Sequence, residues 1–581
     1  MNRKILFVIG IIIYGLALAC TTSPQDKKKE EEKKTTIVFP DPAKEYSGSE
    51  SCRDCHLNVY NRWKESLHAS FIKKPEDDNS IISDSDFNGI NDFKQGIVLG
   101  DSTNIPVNDS VFRDYWYSRV APALSYISGE YNVDIKDKIY PVSYIIGGSA
   151  WKQLFLTKLN NLIFVLPIQY VKRTNSWFFY DSSVWFSGKT PRTPDGNASW
   201  EKNCSGCHTT GLVYAGKNDS GDYTTVYKEF NVGCESCHGS GLKHVAAGGA
   251  PDTIINPEKL TFPRANDICA RCHMRGRSVP DGTYAFAYND LTGASFKPGE
   301  NLEKFFAVDN TDNWSDYSLS KRSNHAQASE FAVSAHAKAG LTCFTCHDPH
   351  NGNFAHSLKN NIDDNSVCLN KTCHSVSINS KNKISGITVD GNVSGHTKHS
   401  ESGSKCVSCH MPFTGASAAT GDLANHSFNI LYPVENNLIG NSRPNSCMNG
   451  NCHTIRDNSL NKWNAQNQTD NYIATMRLTD LWGNLAPVSN AGDALAGYLD
   501  STFVLNGDKS FDPNDSTYPY NDGLTYKWIQ KEGPADIAFD DAGSKNPSFI
   551  PVFPGKYLFE LTVNDSSLGG KSRTVEIVIM K

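Results

Sequence analysis

The chain has 581 residues and a formal net charge of −6, and 39% of its residues are hydrophobic. Its length allows two to four domains, and its acidity argues against nucleic acid as a partner. The hydrophobic fraction is somewhat lean for a globular protein.

The N-terminal residues predict export. Arg3 and Lys4 precede an apolar run, residues 5–18, that is too short to span a bilayer comfortably. The run ends in LALAC, which resembles a bacterial lipoprotein signal. We therefore expect residues 1–19 to be a signal peptide and Cys20 to be lipidated. The alternative is ordinary secretion with a free Cys20.

Residues 20–46 are expected to form a disordered tether, because they contain KKKEEEKK, a charged run with nothing to bury. Thr21 stands where an aspartate would retain a lipoprotein in the inner membrane. The resemblance to lipoprotein signals thus implies the outer membrane, with the protein facing the periplasm or the cell surface. No later apolar stretch is as long as a transmembrane helix, which needs about 20 residues. Removal of Arg3 and Lys4 brings the charge of the mature chain to −8.

Sixteen of the 17 cysteines form eight pairs, and a histidine directly follows each pair. Six pairs have two intervening residues and two have four. Cys-x-x-Cys-His is the attachment signature of c-type haem, in which two thiols bond the porphyrin edge and the histidine supplies the proximal nitrogen to iron. In chain order, motifs 1 to 8 are Cys52/Cys55/His56, Cys204/Cys207/His208, Cys234/Cys237/His238, Cys269/Cys272/His273, Cys343/Cys346/His347, Cys368/Cys373/His374, Cys406/Cys409/His410 and Cys447/Cys452/His453.

The pattern favours haem over two alternatives. Zinc ribbons also use Cys-x-x-Cys, and an exported protein can form disulfides, but neither explains a histidine after every pair. The longer spacers, residues 369–372 and 448–451, are mostly polar and can bulge outward. We therefore predict eight covalently bound c-type haems, with iron held by the motif histidines, inside helices and loops with little regular sheet.

The segment between motif 1 and motif 2 departs from this pattern. Residues 152–158 and 162–166 are strand-like runs, and Asn160-Asn161 between them is a hairpin signal. We expect a small antiparallel β insertion at about residues 80–200.

The C-terminal residues predict a separate β domain. Apolar residues alternate at 524–528, 557–563 and 575–579, which is typical of an antiparallel sandwich with one buried face. The segments LNGDKSFDPND, LTYKWIQKEGP and GKYLFELTVND resemble PKD-type Ig-like modules of exported bacterial proteins. Trp528 is predicted to be a core residue. The module, residues 487–581, carries no cofactor motif, so adhesion or spacing is its expected role.

Haem iron takes two axial ligands, and nine histidines remain beside the eight motif histidines. Methionine is a weak rival, since the chain contains only six. We expect seven or eight of the nine histidines to be distal iron ligands, and His356 to be the one left over. The candidate distal ligands are His68, His244, His325, His336, His350, His396, His399 and His426.

Spacing constrains one of these ligands. His56 and His68 are 12 residues apart in a helix-like stretch, which corresponds to about 18 Å at 1.5 Å per residue. Two ligands of one iron lie far closer together than that. His68 is therefore expected to serve a different haem from His56, and the 11-residue separation of His325 and His336 invites the same argument.

The motif segments include SGSESCRDCHLNVYNRWKESLHAS, FNVGCESCHGSGLKH, ICARCHMRGRS, SAHAKAGLTCFTCHDPH and SGSKCVSCHMP. These segments resemble the multihaem cytochrome superfamily of hydroxylamine oxidoreductase, pentahaem nitrite reductase, octahaem tetrathionate reductase and the tetrahaem shuttle of nitrifiers. The likeness runs from about Tyr46 to His426. It implies distal roles for His68, His244, His336, His350 and His426.

The recognisable catalytic signatures of that superfamily are absent. All eight motifs end in histidine, where the catalytic motif of pentahaem nitrite reductases ends in lysine, and no cysteine spacer has the great length found in octahaem sulfite reductases. We therefore expect an electron-transfer cytochrome that exchanges electrons with redox proteins or extracellular acceptors. The alternative is an octahaem reductase or oxidase of nitrite, hydroxylamine, tetrathionate or sulfite at one haem with open coordination, so enzymatic activity stays open.

The expected architecture has two folded parts. Residues 47–485 are predicted to form a mainly α multihaem cytochrome domain with a small antiparallel β insertion. Residues 487–581 are predicted to form an all-β Ig-like sandwich.

Overall fold

The structure is a computed structural model. It describes residues 37–75, 80–101, 110–148, 152–172, 174–309, 322–352, 354–370, 372–374, 393–397, 399, 405–418, 420–432, 444–453, 483–515 and 521–581. The predicted signal peptide, Cys20 and most of the predicted tether lie outside these residues. In the described part, no helix combines the length and the hydropathy needed to cross a membrane.

The helices of the described part are short, most of them a single turn. Their bounds are α1 Leu57–Lys64, α2 Leu67–Ser70, α3 Asp92–Gln95, α4 Ser110–Tyr117, α5 Ser182–Trp185, α6 Trp200–Asn203, α7 Ser205–His208, α8 Cys234–His238, α9 Leu242–Ala246, α10 Phe262–His273, α11 Gln327–Ala332, α12 Ala335–Lys338, α13 Cys343–Cys346, α14 Ser394–Thr397 and α15 Cys406–His410.

The strands are more numerous than the helices in this part of the chain. Their bounds are β1 Ile72–Lys73, β2 Ala123–Ile127, β3 Glu130–Ile135, β4 Lys138–Pro141, β5 Tyr144–Gly147, β6 Lys152–Leu159, β7 Leu162–Val171, β8 Ser176–Phe179, β9 Phe186–Ser187, β10 Thr190–Pro191, β11 Thr209–Thr210, β12 Tyr214–Lys217, β13 Tyr223–Val226, β14 Glu229–Phe230, β15 Gly276–Ser278, β16 Tyr288–Asn289, β17 Ala294–Ser295, β18 Phe306–Val308, β19 Phe413–Ala416, β20 Thr420–Ala424, β21 Leu495–Tyr498, β22 Phe503–Val504, β23 Thr525–Glu532, β24 Ser548–Phe549, β25 Gly555–Asn564 and β26 Arg573–Met580.

The prediction of a mainly α domain is wrong, because helix makes up 24% of the described residues and strand 28%. The reason is visible at the motifs, where one or two helical turns are enough to present the cysteines and the histidine. At motifs 2 and 4 the backbone becomes extended directly after the histidine, at Thr209 and Met274. Short β ribbons such as β11–β14 and β15–β18 then fill the space between motifs.

The β-rich segment is larger than the expected small insertion. A five-stranded antiparallel sheet has the order β1-β5-β6-β7-β8, and β2, β3 and β4 form a second, three-stranded sheet. Their shared core contains the fully buried side chains of Phe93, Phe112 and Trp177. The Trp177 indole N–H donates to Asp92 Oδ2 at 2.7 Å, which satisfies the buried indole.

The hairpin predicted around Asn160-Asn161 is confirmed. β6 and β7 are antiparallel, and Leu159 pairs with Leu162 across the two-residue turn. Asn160 has a φ of 55°, a left-handed conformation that asparagine adopts more readily than most residues.

The C-terminal strands form the predicted β structure. Their four-stranded sheet has the order β21-β26-β25-β23, in which only β21 and β26 are parallel. Buried residues alternate along β25 and β26. Trp528 is 2% exposed within this core, as predicted.

The helix-like stretch after motif 1 is broken. Helix α1 ends at Lys64, and the Ser66 hydroxyl accepts the Ala69 N–H at 3.4 Å to begin α2. His68 therefore lies on a separate helix from the residues next to His56.

Candidate haem sites

Seven of the eight motifs line one large cavity of about 2730 Å³. Motifs 2, 4, 5, 6, 7 and 8 each line it with both cysteines and the histidine, and motif 3 lines it with Cys237. Its volume is several times that of a typical small-molecule pocket, about 300–1,000 Å³. Such a cavity fits several large ligands side by side.

Six motif histidines each face a second histidine that lies outside the motifs. The distances between ring centres are 6.2 Å for His56–His244, 6.4 Å for His208–His325, 6.1 Å for His238–His350, 6.5 Å for His273–His68, 6.5 Å for His347–His426 and 5.9 Å for His374–His336. Two imidazoles that bind one metal ion from opposite sides, each through a bond of about 2 Å, have ring centres about 6 Å apart. The six pairs have the spacing of six two-histidine metal sites.

The ring planes of these pairs alternate along the chain. The planes are nearly parallel at motifs 1, 3 and 5, with angles of 16°, 15° and 27°. They are steeply inclined at motifs 2, 4 and 6, with angles of 68°, 73° and 88°.

Burial keeps several of these histidines neutral. Together with the smaller effect of a nearby histidine, burial lowers the pKa of His68, His208 and His426 to about 4 and that of His325 to about 3. A neutral imidazole retains the lone pair that a metal requires. These four histidines are therefore in the ligand form at neutral pH.

Hydrogen bonds to Nδ1 orient several rings, which leaves Nε2 for a metal. The Nδ1 contacts with backbone carbonyls are His238 to Ile255 at 2.9 Å, His244 to Ala250 at 2.9 Å, His347 to His356 at 3.0 Å and His426 to Ala424 at 3.0 Å. His350 differs, because its Nδ1 lies 3.3 Å from Asp348 Oδ1, and Asp348 also pairs with Arg62 of α1.

The three remaining histidines outside the motifs also border the cavity. His396 is close enough to His410 to lower the pKa of His410 further, after the larger effect of burial. His399 lines the cavity together with His453 of motif 8. His356, the expected spare, lines it as well and holds His347 through its backbone carbonyl.

Cysteines of different motifs lie side by side. Thiols of motifs 1 and 3, 2 and 4, 4 and 5, and 6 and 7 are close enough to shift one another's pKa; the pairs are Cys52–Cys234, Cys207–Cys272, Cys269–Cys343 and Cys368–Cys406. Closely placed thiols further connect motifs 3 and 4, 5 and 6, and 7 and 8; these are Cys237–Cys272, Cys346–Cys373 and Cys409–Cys452. The motifs thus form a continuous series, 1-3-4-5-6-7-8, with motif 2 beside motif 4. Cys55 and Cys452, at its two ends, are the exposed motif cysteines.

The donor set fits haem better than zinc. A structural zinc ion takes four ligands, and the described residues contain no group of three or more His, Cys, Asp or Glu side chains placed to hold a metal ion. The motif histidines instead occur in opposed pairs. Arg271, inside motif 4, adds a guanidinium whose Nε is buried without a hydrogen-bond partner and which borders the cavity.

Sequence reasoning missed a polar group beside motif 2. Lys152 of β6 donates from Nζ to Gln169 Oε1 at 3.1 Å and to the Ser417 carbonyl, and its Nζ lies 5.4 Å from the ring centre of Tyr180. Burial lowers the pKa of Lys152 to about 8. Lys152 and Arg275 both lie near enough to lower the pKa of His325. No motif marks Lys152, which the β-rich segment brings to the cavity, whereas Arg275 lies two residues after His273 of motif 4.

Two family models match parts of the chain. The model described as "Cytochrome c554 and c-prime" matches residues 51–95 and 183–239, which include motifs 1, 2 and 3. The model described as "K319L-like, PKD domain" matches residues 491–579. These matches fit a multihaem cytochrome c with a C-terminal PKD domain, and they imply covalently bound c-type haem.

Curated relatives of this cytochrome are bacterial. It is 25% identical over 418 residues to "Dissimilatory sulfite reductase MccA" of Wolinella succinogenes, a match that covers 65% of this chain and 52% of the relative. It is 26% identical over 172 residues to "Cytochrome c-552" of Desulfotalea psychrophila, covering 25% of this chain and 32% of the relative. The cytochrome thus spans about half the length of the first relative and a third of the second.

Among solved structures, the cytochrome is similar to "Outer Cell Wall Cytochrome OcwA". That match has a TM-score of 0.49 and 18% sequence identity, and it covers 75% of this chain and 87% of the other.

Proposed function

We propose that the cytochrome transfers electrons and holds eight c-type haems, each with two histidine ligands. The six opposed histidine pairs, with ring centres 5.9–6.5 Å apart, are the observation that carries this proposal. A haem iron with two strong protein ligands has no position left for a substrate. Bound haem supplies one-electron redox chemistry.

The last two motifs complete the proposed ligand set. We assign His396 to His410, its electrostatic neighbour in the cavity. We assign His399 to His453, because both line the same cavity and the other candidates face other motifs. His356 then acts by orienting His347 and binds no iron.

The arrangement of the motifs supports transport over distance. Contacts between cysteines join seven motifs in one series, with motif 2 as a side branch at motif 4. Cys55 and Cys452 are exposed at the two ends. We propose that electrons are exchanged with redox proteins or extracellular acceptors at motifs 1 and 8.

Export and anchoring are proposed from the sequence alone. The apolar run at residues 5–18 and the LALAC segment support export and lipidation at Cys20, with an outer-membrane anchor facing the periplasm or the cell surface.

A second candidate function rests on the polar group beside the His208–His325 pair. Lys152, Arg275 and Tyr180 place two cations and a hydroxyl where an oxyanion could approach motif 2 if His325 left its place. A curated relative is a sulfite reductase by its name. On this account the cytochrome would reduce a small sulfur or nitrogen oxyanion, and His325 would be a displaceable ligand.

A turnover assay separates the two functions. Holoprotein, kept reduced by viologen radical under anaerobic conditions, is mixed with sulfite, nitrite or hydroxylamine, and the consumption of viologen radical is followed. Electron transfer alone predicts no consumption above background with any of the three, together with rapid reoxidation by a soluble ferric complex.

Lys152→Met tests the second candidate in the same assay. Sustained turnover by the wild type that Lys152→Met abolishes would establish the reductase and contradict an exclusive carrier role. Lys158→Met is the matched control, because Lys158 is on the same strand, places its Nζ 5.2 Å from the ring centre of Tyr144, and does not line the large cavity.

A further inference from the structure

Arg271 occupies a junction between three motifs. It lies in the last turn of α10, between the two cysteines of motif 4, and it borders the large cavity. Its guanidinium is close to Cys207 of motif 2, Cys237 of motif 3 and Cys272 of its own motif, since each affects its pKa electrostatically. The side branch and the main series of motifs meet at this point.

The described part of the chain provides no anion for this guanidinium. Nε is shielded from solvent and makes no hydrogen bond, and among the described residues the guanidinium makes no ion pair. Glu235 acts electrostatically on Tyr46, as Arg271 does, but its carboxylate already accepts the backbone N–H groups of Ser47, Gly48 and Gly241 at 2.6–3.0 Å. Arg271 therefore directs a positive charge at the cavity without a counter-charge.

Such an arrangement is costly unless a ligand completes it. Arginine keeps its charge at all physiological pH values, and a buried charge without a partner destabilises the fold strongly. Its planar fork matches a carboxylate, which it can bind through two parallel hydrogen bonds. The missing partner is thus an anion with two coplanar oxygens that enters the cavity after the chain is made.

We propose that Arg271 binds a propionate carboxylate of a haem at the junction of motifs 2, 3 and 4, and that it raises the reduction potential there. The inference rests on the proposed haem-binding function. Porphyrin propionates are carboxylates that arrive with the covalently attached group. Reduction adds one electron, and a fixed positive charge nearby favours the more negative, reduced state.

A free inorganic anion is the other source of the same chemistry. If the cavity holds sulfite or phosphate at Arg271, midpoint potentials of the wild type will depend on the concentration of that anion. A propionate is covalently part of the haem, so those potentials will be unchanged by either anion at constant ionic strength.

Spectroelectrochemical titration of the holoprotein tests the proposal with three variants. Arg271→Gln removes the charge with a similar side-chain length and is expected to shift at least one midpoint potential downward. Arg271→Lys keeps the charge without the planar fork and is expected to give a smaller downward shift. Arg264→Gln is the matched control on the same helix, because Arg264 pairs with Asp267 at 2.6 Å and does not line the cavity; its potentials are expected to match the wild type.

Unchanged potentials in Arg271→Gln, with haem content equal to the wild type by intact mass, would overturn the proposal. A shift of wild-type potentials by sulfite or phosphate that is lost in Arg271→Gln would overturn it in favour of a free anion. If Arg271→Gln does not mature, Arg271→Lys decides alone, and the absence of a shift overturns the proposal. Failure of the proposed function is recognised separately, by a wild-type haem content below eight or by oxyanion turnover.

Discussion

Glu201 shows how one buried side chain near a motif governs the response to pH. It is 8% exposed, lies three residues before Cys204 and accepts the Ile163 N–H at 3.3 Å. Burial raises the pKa of Glu201 from 4.5 to about 7. The folded state thus favours the protonated carboxyl, and its contribution to stability is fully present below pH 4.5 and is lost as pH rises through about 7.

Glu201→Gln removes this titration. We expect the variant to be more stable than the wild type above pH 7, by about 3 kcal/mol at most. Between pH 4.5 and 7 the stability of the variant should fall less steeply than that of the wild type. Thermal unfolding of the holoprotein across this range measures the effect. An identical pH profile in the wild type and the variant would contradict the account, and Glu258→Gln, at an exposed site, is the control.

The chemical roles of single residues were predictable where a local sequence motif indicates them. The eight Cys and His motifs and the nine further histidines are evident from the sequence, whereas the pairing of His208 with His325 joins residues more than 100 positions apart. The spacing of His56 and His68 predicts only that they bind different irons. The structure adds that His68 lies opposite His273. Arg271 and Lys152 carry no local signal, because their role depends on what the fold brings beside them.

At the scale of elements, local turn and alternation patterns predicted individual strands correctly, whereas composition gave the wrong fold class. The Asn160-Asn161 turn and the alternation in β25 and β26 specify their strands through neighbouring residues. The mainly α expectation followed from the idea that haems replace a protein core. In fact, one or two helical turns are enough for a motif, and the segment around Trp177 forms extensive β structure around a core of its own.

The C-terminal β strands allow a test of whether the PKD domain folds by itself. Ile577 is fully buried in β26, so Ile577→Ala is expected to destabilise that domain by about 2–5 kcal/mol and leave the haem absorption unchanged. Limited proteolysis at rising temperature, with haem spectra taken in parallel, measures both. Val578→Ala, at the neighbouring 39% exposed position, is the control. Simultaneous loss of haem spectra and C-terminal strands would contradict an independent domain.

At the scale of the whole molecule, the order of the motifs in space differs from their order in the chain. Motif 3 lies between motifs 1 and 4, and motif 2 stands to the side. The opposed histidine pairs agree with this order, since His244, which follows motif 3 in the chain, faces His56 of motif 1, and His426, which follows motif 7, faces His347 of motif 5. Each pair joins distant segments, and haem binding is therefore expected to fix the tertiary structure as a unit.

Electron paramagnetic resonance of the fully oxidised holoprotein tests the central claim, that every iron has two histidine ligands. The account predicts eight low-spin irons per chain, in two spectral classes that reflect the nearly parallel rings at motifs 1, 3 and 5 and the steep rings at motifs 2, 4 and 6. Sulfite, nitrite and hydroxylamine should leave the spectrum unchanged. A high-spin signal that any of these compounds perturbs would contradict the account and identify an open, catalytic iron.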